Sequence, residues 1–287
     1  MNGSTVSGPV RHGSARYEHG PRGHDSYGHD SRGHGISANA STRQPELPEG
    51  ADYAELDPEV RAELRGLPKG LAELVGRHLA AAGLLIDSDP ERALEHARYA
   101  REKAARVGVV REATGLTAYH AGEWAEALAE LRAARRMSGG AGHLAVMADC
   151  ERALGRPERA LDLAKESHAE MSPSEAVELR IVAAGARRDL GQLDAAVVAL
   201  QGPELDPSKR EPWSARLFYA YADNLTAVGR TEEAIRWFLN AADADEDGGT
   251  DAAERAVELA DQQQEKNAEP EGEKEDGDSP ALNAEDS

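Results

Sequence analysis

The sequence predicts an all-α fold, and three observations carry that expectation. Aromatic residues make up only 4% of the 287-residue chain, with two Phe, so a core must be built from Ala, Leu and Val. Small aliphatic side chains pack helices closely rather than filling the space between sheets. Period-two runs of Val, Ile and Thr are missing, while the strong helix formers Ala, Leu, Glu and Arg dominate the middle of the chain. Finally, one helix-opening phrase recurs: "PERAL" stands at Pro90–Leu94 and again at Pro157–Leu161.

Along the chain, residues 1–48 are Gly, Ser, His and Arg with almost no large aliphatics. Such a segment buries too little apolar area to offset its ordering entropy and reads as a disordered tail. Residues 49–265 read as a helical-repeat domain. Within it, an Ala followed by an apolar residue recurs at Ala93-Leu94, Ala127-Leu128, Ala160-Leu161, Ala196-Val197 and Ala234-Ile235, at steps of 34, 33, 36 and 38 residues. A period near 34 residues indicates stacked two-helix units, and the two "PERAL" copies lie two periods apart.

Other positions keep the same register. Gly122, Gly155, Gly191 and Gly229 each precede a marker alanine by five residues and are placed to end the first helix of a pair at positive φ. Thr231 and Asp194 are then expected as N-caps of second helices, with Pro157 in a first turn. Seven residues before the glycines stand Gly115, Ala148, Ala184 and Ala222, small enough to let paired helices approach. Leu131, Ala164, Leu200 and Phe238 follow the marker alanines by one turn on the same face. A helix over 251–263 and a helical stretch before residue 74 are expected as caps. Residues 266–287 form an acidic tail, again read as disordered.

On these residues the chain resembles the tetratricopeptide repeat (TPR) family. In the last unit Phe218, Tyr221, Ala222, Leu225, Ala234 and Phe238 have the spacing of the family's aromatic, large, small, large, small and aromatic positions. The resemblance covers 74–247 and implies a right-handed solenoid of about five helical hairpins. Its units are degenerate: Ser88 replaces the turn glycine of the first, and Arg77, Arg111 and Arg180 stand where the family usually has a bulky apolar residue. The insert "QGPELDPSKREPW" stretches the fourth.

What the resemblance implies for function is a protein–protein scaffold. First helices of such hairpins line an inner groove, and the repeat frame places there His78, Leu85, Glu112, Tyr119, His120, Asp149, Arg152, Arg188, Asp189, Arg216, Tyr219 and Asp223. That mixed, tyrosine-bearing set suits an extended peptide or a partner helix. It lacks the Lys/Asn/Arg set with which family members grip acidic chaperone C-termini, so that ligand is not carried over. The acidic tail could also lie over Arg152, Arg188 and Arg216.

Two further motifs bear on function. "DADEDGGTDAAE" fits a calcium loop through Asp243, Asp245, Asp247, Gly248, Asp251 and Glu254. Gly249, Thr250 and Arg255 depart from that pattern and no second copy pairs with it, so an acidic turn with Asp251 and Glu254 near a helix N-terminus is the preferred reading. His19, His24, His29 and His34 recur every five residues in the N-terminal tail, beside Arg-Gly pairs that give an RNA-associated arm as the alternative function.

No metalloprotease motif, phosphate-binding loop or nucleophile elbow occurs, so neither catalysis nor a cofactor nor a metal is expected. The lone Cys150, flanked by acids, cannot form an internal disulfide. A net charge of −20 disfavours broad nucleic-acid binding. The longest apolar patch, Leu79–Ile86, is too short to span a bilayer, and the N-terminus lacks the apolar core of a signal peptide, so a soluble cytoplasmic protein is expected. Arg outnumbers Lys, as in actinobacterial and other GC-rich bacterial genomes.

Overall fold

All five marker alanines are fully buried, and each lies in the second helix of a hairpin. The computed structural model describes residues 43–139, 142–166 and 171–268. Among these it is helical throughout, without strands. A 3-10 turn (Tyr53–Glu55) and α1 (Pro58–Leu64) precede five hairpins. These are α2 (Lys69–Leu85) with α3 (Pro90–Ala104), α4 (Gly108–His120) with α5 (Trp124–Ser138), and α6 (Leu144–Ala153) with α7 (Pro157–Lys165). Then follow α8 (Pro173–Asp189) with α9 (Leu193–Leu200), and α10 (Ser214–Ala227) with α11 (Thr231–Ala244). Helix α12 (Ala252–Ala268) packs on α11 and closes the stack.

The turn glycines behave as their positions require. Gly122, Gly155, Gly191 and Gly229 have φ of 76°, 71°, 72° and 77°. In each case the next residue's N–H returns to a carbonyl five residues back, as Glu123 does to Ala118 and Arg230 to Leu225. The residue after the glycine is already the N-cap, so Thr231 is the first residue of α11 and Asp194 the second of α9. Neither caps, and that expectation is corrected. Pro157 does occupy the first position of α7. The first hairpin, lacking the glycine, uses Asp89 instead, whose side chain accepts from the Arg92 N–H at 3.2 Å.

Close approach explains Gly115: a Cβ there would lie 2.6 Å from Leu131 Cγ of the partner helix. Even-numbered helices approach one another directly, α2 with α4, α6 with α8 and α8 with α10, whereas no two odd-numbered helices do so to that extent among the described residues. The even-numbered helices therefore form the inner side of the stack. Residues 43–48, assigned to the tail from sequence, lie without helix or strand ahead of the first turn, and their Gln44 reaches His78 of α2.

Candidate functional site

The inner side carries a ladder of polar contacts that runs from one hairpin to the next. The Tyr119 hydroxyl of α4 donates to Asp149 Oδ2 of α6 at 2.7 Å. One turn on, Arg152 Nη1 donates to Asp149 Oδ1 at 3.0 Å, and its Nε donates to Asp189 Oδ2 of α8 at 2.8 Å. Arg188 pairs with Asp223 of α10, and Asp223 is approached from α12 by Arg255 at 3.5 Å. Tyr219 hydrogen-bonds Asp251 at the start of α12; burial pushes the phenol pKa up and this carboxylate adds to the rise.

Backbone shape makes room for the ladder. A Cβ on Gly185 would sit 2.5 Å from Arg152 Cζ, so this mid-helix glycine of α8 is where the guanidinium lies. Burial opposes the Arg152 charge, but its bonds to Asp189 and Asp149 outweigh burial and raise its pKa above the ordinary value. The contacts step by roughly one repeat: Arg152 to Asp189 spans 37 residues and Arg188 to Asp223 spans 35.

The remaining groove residues are placed as follows. Glu112 accepts from His143 Nε2 at 2.8 Å, which holds its carboxyl below the usual range against the effect of burial. Arg216 pairs with Glu178 at 2.6 Å, where burial outweighs the guanidinium and raises the carboxyl pKa. His120 is half-buried, its pKa lowered by burial with Asp87 opposing. Leu85 is half-buried in the last turn of α2. His78 is fully buried, with Nδ1 2.9 Å from His96 Nδ1. It faces α3 rather than the groove surface, which removes it from the set of contact residues. The Tyr119 ring is likewise buried, against Trp124. Arg152, Arg188 and Arg216, considered as seats for the acidic tail, are thus already paired within the solenoid. Arg255, Gly185, Glu178 and His143 were missed from sequence, although the Arg-to-Asp spacing of one repeat was there to be read.

Elsewhere, buried carboxylates clamp the hairpins of the N-terminal half. Glu151 lies between Arg132 and Arg156, and Glu130 between Arg101 and Arg111. In the acidic loop, Asp243 lies within α11, and Asp245 accepts from the Gly249 N–H at 2.9 Å and the Thr250 N–H at 2.7 Å. Asp251 faces Tyr219 and Glu254 sits in the first turn of α12. No group of three or more His, Cys, Asp or Glu able to hold a metal occurs among the described residues. Cys150 is buried, and burial followed by the charges of Asp149 and Glu151 pushes its thiol up to about 12, far from an activated nucleophile. No helix among the described residues is long and apolar enough to cross a membrane. The histidine and Arg-Gly tract lies outside the described residues.

Five stacked hairpins with a capping helix define a helical-repeat solenoid of TPR-like form. No family model matches the chain, and no curated protein matches it. Among solved structures, one described as "YrrB: a TPR protein with an unusual peptide-binding site" aligns over 72% of this chain and 99% of its own, at 18% identity and a TM-score of 0.42. The repeat assignment stands on the chain's own hairpins.

Proposed function

We propose that the chain is a non-enzymatic interaction scaffold that holds a partner protein, as a peptide or a helix, along the inner side of the solenoid. The observation that supports this reading most is the polar row spanning four inner helices, from Tyr119 of α4 to Asp223 of α10. A row of charges fixed at one-repeat spacing gives a partner laid across it a rigid polar floor. The ladder's own side chains are held in place by one another. A partner would therefore meet a preorganised surface and need order few side chains on binding. Leu85 and His120, both half-buried, flank that row, with Glu112 and Arg216 beside it in their own ion pairs.

The test is cross-linked capture from the native host, with the full chain and a chain lacking residues 1–42 side by side and a nuclease-treated arm. A recurrent protein held by both chains and resistant to nuclease is expected. Capture that needs residues 1–42, or that vanishes with nuclease, would transfer function to the N-terminal arm and its alternative reading as an RNA contact.

A further inference from the structure

The first hairpin hides two histidines that play no part in the inner row. His78 of α2 and His96 of α3 are 0% and 1% exposed, and their Nδ1 atoms are 2.9 Å apart. At that separation one Nδ1 carries a proton and the other must not. His78 Nε2 meets the Gln44 side-chain amide at 3.4 Å, which donates through its nitrogen or, turned over, accepts through its oxygen. Two arrangements satisfy all three groups: Gln44 N–H to His78 Nε2 with His78 Nδ1–H to His96 Nδ1, or His96 Nδ1–H to His78 Nδ1 with His78 Nε2–H to the Gln44 amide oxygen. Both rings are neutral in either, and the Tyr99 ring packs on His78 at 4.4 Å between centroids.

Gln44 belongs to the non-helical segment Arg43–Ala51, which turns at Glu49–Gly50 and whose side-chain hydrogen bonds to α2 are long. Besides Gln44, Ala51 accepts from Arg77 Nε at 3.4 Å and is itself buried. Below it the Tyr53 ring fills the space over Gly76, where a Cβ would come within 2.2 Å of it. A non-helical segment with Arg43, Gln44, Glu46, Glu49 and Gly50 exposed and only long hydrogen bonds to α2 opens before the hairpins do. We propose that Arg43–Ala51 is a releasable strap over the first hairpin, latched by the neutral His78–His96 pair and let go when either ring takes up a proton.

One added proton is shared across the 2.9 Å contact but leaves a cation buried beneath the strap, where opening would hydrate it, and a second proton places two N–H groups face to face. Among the described residues no carboxylate bonds either ring; Arg77 on α2 and Arg92 on α3 oppose the charge, and Glu95 on α3 favours it at His96. The strap brings Arg43, Glu46 and Glu49. From α4, Thr114 is bonded to Ala97 of α3, and His120 answers to Asp87 in the α2–α3 turn. Burial, then the neighbouring His96, lowers the His78 pKa to about 4, so the latch holds fully above the ordinary histidine value of 6.5 and is lost as pH falls toward about 4. The release is independent of whether the inner side binds a partner.

The test is a spin-label distance between Glu46→Cys and Glu91→Cys, both exposed positions, in the full chain carrying Cys150→Ala, read from pH 7.5 to 4 with helicity followed by circular dichroism. A single narrow distance is expected at neutral pH, broadening with a midpoint between pH 6.5 and about 4 while helicity is kept. Gln44→Glu places a carboxylate on His78 Nε2 and is expected to move that midpoint to lower pH, and His78→Gln with His96→Gln to abolish it. A distance unchanged down to pH 4, one lost only together with helicity, or a midpoint that Gln44→Glu leaves in place would overturn the proposal.

Discussion

The two halves of the solenoid are held together by different chemistry. In the first three hairpins the buried groups include His78, His96, Glu130 and Glu151, so much of what joins helix to helix there is charged or titratable. In the last two hairpins the core carries aromatics: Phe218 and Phe238 are fully buried, with Trp237 tilted against Phe218 at 5.3 Å and edge-on to Tyr221 at 5.2 Å. The same repeat frame thus tolerates two kinds of interior. Apolar burial is non-directional and little affected by pH or salt, whereas buried charge is stable only while its partners keep their protonation states.

The largest expected effect lies in the aromatic half. Phe218→Ala removes a fully buried ring beside Trp237 and should cost about 3–5 kcal/mol in urea unfolding, with little dependence on pH between 5 and 8. The next falls in the other half. His78 carries a folded pKa of about 4 against 6.5 unfolded, so about 3 kcal/mol of stability present above pH 6.5 should drain away as pH falls toward 4. Melting curves across that range should show the loss in the parent chain and not in His78→Gln with His96→Gln. Glu151→Gln, which leaves Arg132 and Arg156 half-exposed and able to hydrate, should cost about 1–3 kcal/mol. Glu151→Leu should be milder, since replacing a buried ion by a packed aliphatic is often near neutral. The smallest effect should be common to both halves: Gly155→Ala and Gly229→Ala, at φ 71° and 77°, should each lose about 1–2 kcal/mol, because the turns are alike. A clear inequality between those two would break the comparison at the level of the backbone.

The repeat itself was legible because it is local. Marker alanines, turn glycines and the small residues opposite them recur in register, and five units agreeing outweigh the degeneracy of any one. The N-caps were misread because the glycine turn is only one residue long before the next helix, leaving Thr231 and Asp194 inside their helices. The inner face was legible in part: the repeat frame found Asp149, Arg152, Arg188, Asp189 and Asp223, but not that they bond one another, since pairing depends on how far one hairpin turns on the next. His78 was misplaced because its partner His96 lies 18 residues away, a separation that belongs to no period of the repeat.

The most direct measurement of the central claim places a photoreactive residue in turn at Leu85, His120 and Arg216 on inner helices, and at Val198 and Leu239 on odd-numbered ones, where the side chains are 63% and 52% exposed. Adducts to one and the same captured protein from the first three positions, and none from the last two, are the expected result. Adducts from Val198 or Leu239 with none from the inner helices would contradict the assignment of the inner side as the binding surface.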